Sequence, residues 1–284
     1  MKHRILFRFL IAVAFAGIPV QHLQAAEPEE TRKDTLYVSH PWYGARVAYL
    51  GDSITDPGTL GETPIYWNYL QEWLDITPLV YGKGGHQWHQ LLGQAARLTK
   101  EHGDSFDAII IFLGTNDFNA GVPIGEWFSE ETVQVNADGK MVERVRRTPV
   151  FDLSTFRGRI NFALDSLKRT YPSKQIVLLT PVHRAFARFS DYNIQPDESY
   201  QNSCGEYIDA YIESIKEASS LWSVPVIDLY SLSGLFPMHK EQAEFFPGGN
   251  DWLHPDTDGH RRIAECLLLS ASYIAVQIYK VVSP

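Results

Sequence analysis

Residues 107–113 read Asp-Ala-Ile-Ile-Ile-Phe-Leu, an apolar run with no polar alternation and three consecutive β-branched side chains. A half-exposed strand would alternate, so this run belongs to a strand covered on both faces, as in a parallel sheet between helices. Shorter runs of the same kind occur at 46–50, 78–81, 175–180 and 226–229. Between them lie segments with apolar residues at helical spacing, at 63–74, 88–100, 152–171 (capped by Ser154 or Asp152), 198–219 and 257–279. Strand–helix alternation joined by right-handed crossovers gives an α/β domain: a three-layer α/β/α sandwich on a flavodoxin-like parallel sheet of five strands. Residues 182–196 and 231–250 read as long irregular loops.

One segment breaks the rhythm. Residues 121–150 carry Asn136-Ala137-Asp138-Gly139 between two short β-prone stretches, 133–135 and 141–143, which predicts a hairpin. An insertion of this length between core elements reads as a lid or a substrate wall. Its basic run, Arg144-Val145-Arg146-Arg147, reads as solvated surface.

The ends set the compartment. Residues 1–8 hold Lys2, Arg4 and Arg8 without an acid, 9–20 are apolar, and 21–26 end in Gln-Ala-Ala. That order is a secretory signal peptide, expected over 1–25, followed by a polar lead-in over 26–44 and the main domain over 45–284. The apolar core is short for a membrane span, so export to the periplasm or the extracellular space is expected, without stable membrane insertion. The formal charge of −9, with those three basic residues in the leader, leaves an acidic domain without a footprint for nucleic acid. Cys204 and Cys266 are open to two readings, a disulfide permitted by export or two free thiols. No Cys/His cluster has metal-ligand spacing.

Chemistry gathers where the strands end. Gly51-Asp52-Ser53 follows the first strand, Gly82-Lys83-Gly84-Gly85-His86 the second and Gly114-Thr115-Asn116-Asp117 the third. Asp251-Trp252-Leu253-His254 precedes the last helix. In open parallel sheets these carboxyl ends converge on the ligand site. A serine is a weak nucleophile until a base takes its proton, and an acid three residues before a histidine can fold back onto its ring. Taken alone, each tripeptide is equally an ordinary turn, and Asp251 equally a helix cap.

The four blocks in this order, spanning 51–254, resemble those of the SGNH hydrolases, the GDSL family of esterases and lipases. The resemblance implies Ser53 as nucleophile, His254 as general base and Asp251 as its orienting acid. It implies an oxyanion hole from the backbone amides of Ser53 and a glycine of the second block, with the Asn116 carboxamide. The register leaves Gly82, Gly84 and Gly85 open. Gly85 takes the place just before the polar residue of the family pattern and is favoured. Tyr81 stands where many members have asparagine, and Ile54 replaces a leucine. Neither metal nor organic cofactor is implied.

The substrate follows less directly. An exported acidic enzyme with Trp88, Trp127 and Trp252 near the motif loops is suited to stacking sugar rings, which points to acetyl or other short acyl esters on an oligosaccharide. The same tryptophans read equally well as core or lid packing. Asp52, His86, Trp88, His183 and Trp252 are the candidate substrate contacts. Asp52 is equally a structural hydrogen-bonding group, and Arg184 stands beside His183 as a second lining candidate. His89 lies three residues from His86 with no third ligand, and His260 reads as helix surface. A lysophospholipase or thioesterase, acyl transfer to a sugar acceptor, and a catalytically silent glycan-binding protein are the alternatives. Fold alone does not separate them.

Overall fold

The computed structural model describes residues 40–59, 61 and 63–274. The expected signal segment, most of the lead-in and the closing helix beyond 274 lie outside the described residues. Strand β1 (Arg46–Gly51) is followed by helix α1 (Tyr66–Leu74), β2 (Thr77–Val80), α2 (Leu91–His102), β3 (Ala108–Phe112) and the short α3 (Thr115–Asn119). The inserted hairpin β4 (Phe128–Ala137) and β5 (Lys140–Pro149) leads into α4 (Phe156–Thr170) and β6 (Gln175–Leu179). A small hairpin, β7 (Ala187–Ser190) and β8 (Asn193–Gln195), precedes α5 (Ile208–Trp222), β9 (Val226–Ile227), α6 (Leu229–Leu232) and α7 (Thr257–Ile274).

The five core strands pair in parallel in the order β2-β1-β3-β6-β9, the doubly wound arrangement expected from the alternation. Strand geometry sends alternate side chains to opposite faces, and the unbroken apolar runs supply both. Ala48, Leu50, Ile109, Ile111 and Leu178 pack under α2, α4 and α5. Val47, Tyr49, Ile110, Phe112 and Val177 pack under α1 and α7. All five residues of β3 are buried, which is why that run was the plainest in the chain.

Several local expectations shift. The cap of α4 is Thr155, whose side chain accepts from the Gly158 amide at 3.3 Å. Asp152 is occupied one turn earlier, accepting from the Ser154 amide at 2.8 Å and its hydroxyl at 2.7 Å. Helix α5 starts at Ile208, ten residues later than its periodicity suggested. Asp197 and Asn202 take the intervening amides of Ser199, Cys204 and Glu206 onto their own side chains, a local competition that prevents helix nucleation. The expected irregular loop over 182–196 contains β7 and β8. Cys204 and Cys266 carry free thiols.

The 121–150 insertion forms a ten-by-ten residue ribbon around an Asp138-Gly139 turn, both residues at positive φ as a type I′ hairpin requires. Its base is clamped by buried Asn161 of α4, which donates to the carbonyls of Trp127 at 2.8 Å and Val150 at 2.9 Å. Along both strands most side chains are exposed. Arg146 pairs across the strands with Glu131, and Arg147 lies 4.3 Å over the Phe128 ring. The basic run is therefore solvated and internally paired. Among the described residues no helix is long and apolar enough to cross a membrane.

Candidate active site

Ser53 follows the end of β1 in a turn that only glycine at position 51 allows. A Cβ on Gly51 would lie 2.3 Å from the Thr55 hydroxyl and 3.0 Å from the Phe112 carbonyl. The Gly51 peptide is gripped on both sides by buried Gln94 of α2, which accepts from its amide at 2.9 Å and donates to its carbonyl at 2.8 Å. The same amide group reaches His86 Nδ1 at 2.9 Å, so one side chain ties the first motif loop to the second. Gln94 interrupts the apolar stripe Leu91, Ala95, Leu98 on α2. A glutamine inside a core stripe is a signal that reading the sequence could have used.

The turn delivers the Ser53 hydroxyl 2.8 Å from His254 Nε2, across 201 residues of chain. On the far side of the imidazole, Nδ1 lies 2.8 Å from Asp251 Oδ2. The other carboxylate oxygen of Asp251 accepts from the amides of Leu253 at 3.1 Å and His254 at 3.0 Å. Burial alone would raise the Asp251 carboxyl, but the His254 ring and these two amides outweigh it and hold it below the ordinary value. Asp251 is thus a fixed anion aimed at the ring.

Around Ser53 the amide hydrogens divide clearly. Gly84 N–H is spent on Asp56 Oδ2 at 2.9 Å. Gly82 is wedged where a Cβ would meet Thr55. Gly85, at φ 78°, keeps its surroundings open, and neither its amide nor that of Ser53 has a hydrogen-bond partner among the described residues. Asn116, at the start of α3, donates to the His86 carbonyl at 3.1 Å, which orients its carboxamide and leaves its second N–H unassigned. Asp56, which the sequence reading passed over, also accepts from Gly58 at 2.9 Å and pairs with Lys83 at 3.6 Å. Its own desolvation is outweighed by these contacts, and its carboxyl sits below the usual range.

The supporting ring is buried and charged. Asp117, fully buried, accepts from the Trp88 amide at 3.1 Å and from Arg159 at 2.8 Å. Burial nevertheless lifts its carboxyl to about 6. Replacing Arg159 with alanine leaves that carboxylate buried and unpaired, at an expected cost of about 3 kcal/mol in stability at pH 8. The loss shrinks at pH 5, where Asp117 holds a proton and needs no cation; urea unfolding at the two pH values measures the difference. Arg184, 1% exposed, donates to Thr115 Oγ1 at 3.1 Å and Gln195 Oε1 at 2.7 Å, beside Asn116 in sequence. Burial lowers its guanidinium to about 10.

Several candidate substrate contacts turn out to be structural. Asp52 is 1% exposed and accepts from the Ile54 amide at 3.1 Å, so it braces the turn and faces no solvent. Burial pushes its carboxyl up to about 7, against the opposing pull of that amide and of His254. Trp88 is 1% exposed inside the core, and Trp127, at 8%, donates to Glu217 at 2.6 Å. Neither ring has a face free for a sugar, because each fills a gap between helices and sheet. Trp252 is half-buried against the second core cluster. His183 has Nδ1 on Glu198 at 2.5 Å and its ring centroid 3.6 Å from that of Tyr230, held in a carboxylate and aromatic nest. His86 lies at the site through its carbonyl, while its ring serves Gln94. His260 is not on the helix surface: it is fully buried, stacked on Tyr66 at 6.3 Å, and burial holds its ring down at about 3. Among the described residues no group of three His, Cys, Asp or Glu is placed to hold a metal.

Asp52 makes stability pH-dependent with a definite sign. Its folded-state value of about 7 lies above the unfolded 3.8, so its contribution is fully present below pH 4 and is lost as pH rises to 7. Asp117 adds a slope of the same sign up to about 6. Asp52→Asn keeps an acceptor for Ile54 and cannot ionise. The melting temperature of this variant relative to wild type is expected to climb steadily between pH 4.5 and 7.5, and a flat difference would contradict the assignment.

Comparison with known proteins agrees with this geometry. Residues 49–262 match the GDSL-like lipase/acylhydrolase family. Among solved structures, a protein from Lactobacillus plantarum superposes with TM-score 0.62 at 24% identity, covering 82% of this chain and 97% of that one. A protein described as a possible lipase from Chitinophaga pinensis gives 0.60 at 20% identity, with 80% and 97% covered. A catalytic mutant of an acetylxylan esterase from Geobacillus stearothermophilus gives 0.50 at 17% identity, with 81% and 95% covered. At these identities the likeness is one of fold. No protein of curated function matches the chain in sequence. With the family matched over all four motif blocks and most of the domain, the chain belongs to the GDSL-like lipase/acylhydrolase family and is a carboxylic ester hydrolase.

Proposed function

We propose that this chain is an exported serine esterase that removes acetyl or other short acyl groups from carbohydrate esters. The observation that carries the catalytic part is the continuous chain from the Ser53 hydroxyl through His254 to Asp251, 2.8 Å at each step. Ser53 Oγ attacks the ester carbonyl carbon while His254 Nε2 takes its proton. The oxyanion accepts from the Ser53 and Gly85 amides and from Asn116. The C–O bond to the alcohol then breaks, and His254 returns the proton to the leaving oxygen. Water attacks the acyl-Ser53 ester, His254 takes its proton and hands it back to Ser53, and the free acid departs.

An imidazole pointing away from the serine would revive the silent-binder alternative, and His254 Nε2 instead lies 2.8 Å from the Ser53 hydroxyl. A lipid substrate would favour a broad apolar docking face. The exposed apolar residues of the long ribbon, Val135, Met141 and Val145, are instead divided between its two sides and interleaved with charge. The acetylxylan esterase that shares the fold lends the carbohydrate reading a precedent. Export rests on the leader segment alone.

Hydrolysis of nitrophenyl acetate, butyrate and palmitate by the exported form tests the acyl side. The expected order of kcat/KM is acetate over butyrate, with palmitate at least a hundredfold lower. A maximum at palmitate would transfer the assignment to lipid hydrolysis.

A further inference from the structure

Sequence reasoning looked for a sugar platform among the tryptophans, and the structure buries two of the three. Exposed aromatic surface lies elsewhere, on the β7–β8 hairpin. Phe189 is 44% exposed, with its ring centroid 5.3 Å from that of His254 and the planes inclined by 55°. Tyr192 at the hairpin tip is fully exposed, and Ile194 and Phe186 are exposed beside it. Phe189 is thus an open aromatic ring at the edge of the histidine that faces Ser53.

The placement of Phe189 is built in. Ala187 pairs with Gln195 and Arg188 with Ile194, but Ser190 then pairs with Asn193, so Phe189 is the extra residue of a β-bulge. A bulge re-aims one side chain out of the regular alternation, a device that recurs beside active sites. The hairpin is also locked to the loop that carries Asp251 and His254. Ala187 forms a bridge with Asp251, the Arg188 amide donates to Asn250 at 2.7 Å, and the Trp252 amide donates to Phe186 at 3.1 Å. Gln195 anchors the returning strand on buried Arg184. The bonds that set His254 therefore also set Phe189.

Chemistry then assigns the side of the substrate. His254 must hand its proton to the leaving alcohol, so the group flanking its ring flanks the alcohol and not the acyl chain. We propose that the β7–β8 hairpin is the alcohol-side subsite of this esterase, with Phe189 as the platform for the apolar face of a pyranose ring. The inference rests on the serine-esterase reading and narrows it to the leaving group. An open aromatic face suits a ring that is apolar on one side and hydroxylated at its rim, and the same hairpin carries polar groups in the Tyr192 hydroxyl and the Arg188–Asp191 ion pair at 2.5 Å. A linear alkyl alcohol would use neither feature.

The test compares two acetates that differ only in the alcohol, ethyl acetate and a monoacetylated methyl xylopyranoside, with wild type, Phe189→Ala and Phe189→Trp. The ratio of kcat/KM for the xyloside over ethyl acetate is expected to fall about tenfold in Phe189→Ala, chiefly through KM, and to be kept in Phe189→Trp. An unchanged ratio in Phe189→Ala, or a wild type that cleaves ethyl acetate but not the xyloside, overturns the subsite. If wild type cleaves neither ester, or Ser53→Ala cleaves both as well as wild type, the esterase reading itself fails. The two failures are therefore distinguishable.

Discussion

Ser53→Ala is expected to lower kcat on nitrophenyl acetate by roughly 10⁴- to 10⁶-fold while the fold persists. In the proposed mechanism the hydroxyl is the atom that bonds to carbon, and among the described residues no other serine lies on His254 Nε2. What survives is the binding and oxyanion contribution, which does not need the nucleophile. Because nucleophile and base act as one unit, the Ser53→Ala/His254→Ala pair should be no slower than either single variant by more than a few fold. Removing a hydroxyl from a site that is 8% exposed leaves the turn, held by Gln94 and Asp52, intact. A melting temperature near wild type, together with lost burst-phase acylation, is the expected pair of readings. Full multiplicative loss in the double variant would mean that the two residues do not share a step.

Asp251→Asn is expected to cost about 10⁴ in kcat with little loss of stability. Asparagine can keep its oxygen on the Leu253 and His254 amides, so the loop retains both of its turn bonds. It must then present an N–H₂ to His254 Nδ1, where the carboxylate had accepted. That turns the imidazole to the wrong tautomer, with its proton facing Ser53 and no basic nitrogen to receive another. The carboxylate also stabilises the imidazolium that forms as serine is deprotonated, and asparagine offers no charge to replace it. Steady-state kinetics beside a thermal melt separate the two roles. An inactive, well-folded Asp251→Asn supports the orienting role, whereas an active one would make Asp251 merely the loop's turn residue.

The sheet and its motif edge were legible because they depend on local regularities. Unbroken apolar runs name the strands, helical periodicity names their covers, and the serine, asparagine and histidine blocks fall at strand ends wherever the helices happen to stop. The Asp138-Gly139 hairpin was equally readable, since its turn chemistry is contained in two residues. Depth was not readable. Trp88, Trp127 and His260 carry side chains that suit a core or a rim, and only the packing of α2, α4 and α7 against the sheet decided for the core. The start of α5 was misjudged because Asp197 and Asn202 win a local contest for amides that periodicity does not register. Phe189 owes its position to a bulge and to backbone bonds with residues 250–252, more than fifty positions away. The sequence alone determined which chemical groups this protein possesses and the succession of core strands and helices along the chain, because those follow from local preferences. Which groups meet, and which aromatic faces stay open to a substrate, was decided by the tertiary structure, because burial and long-range hydrogen bonding are properties of the folded contact set and not of any one segment.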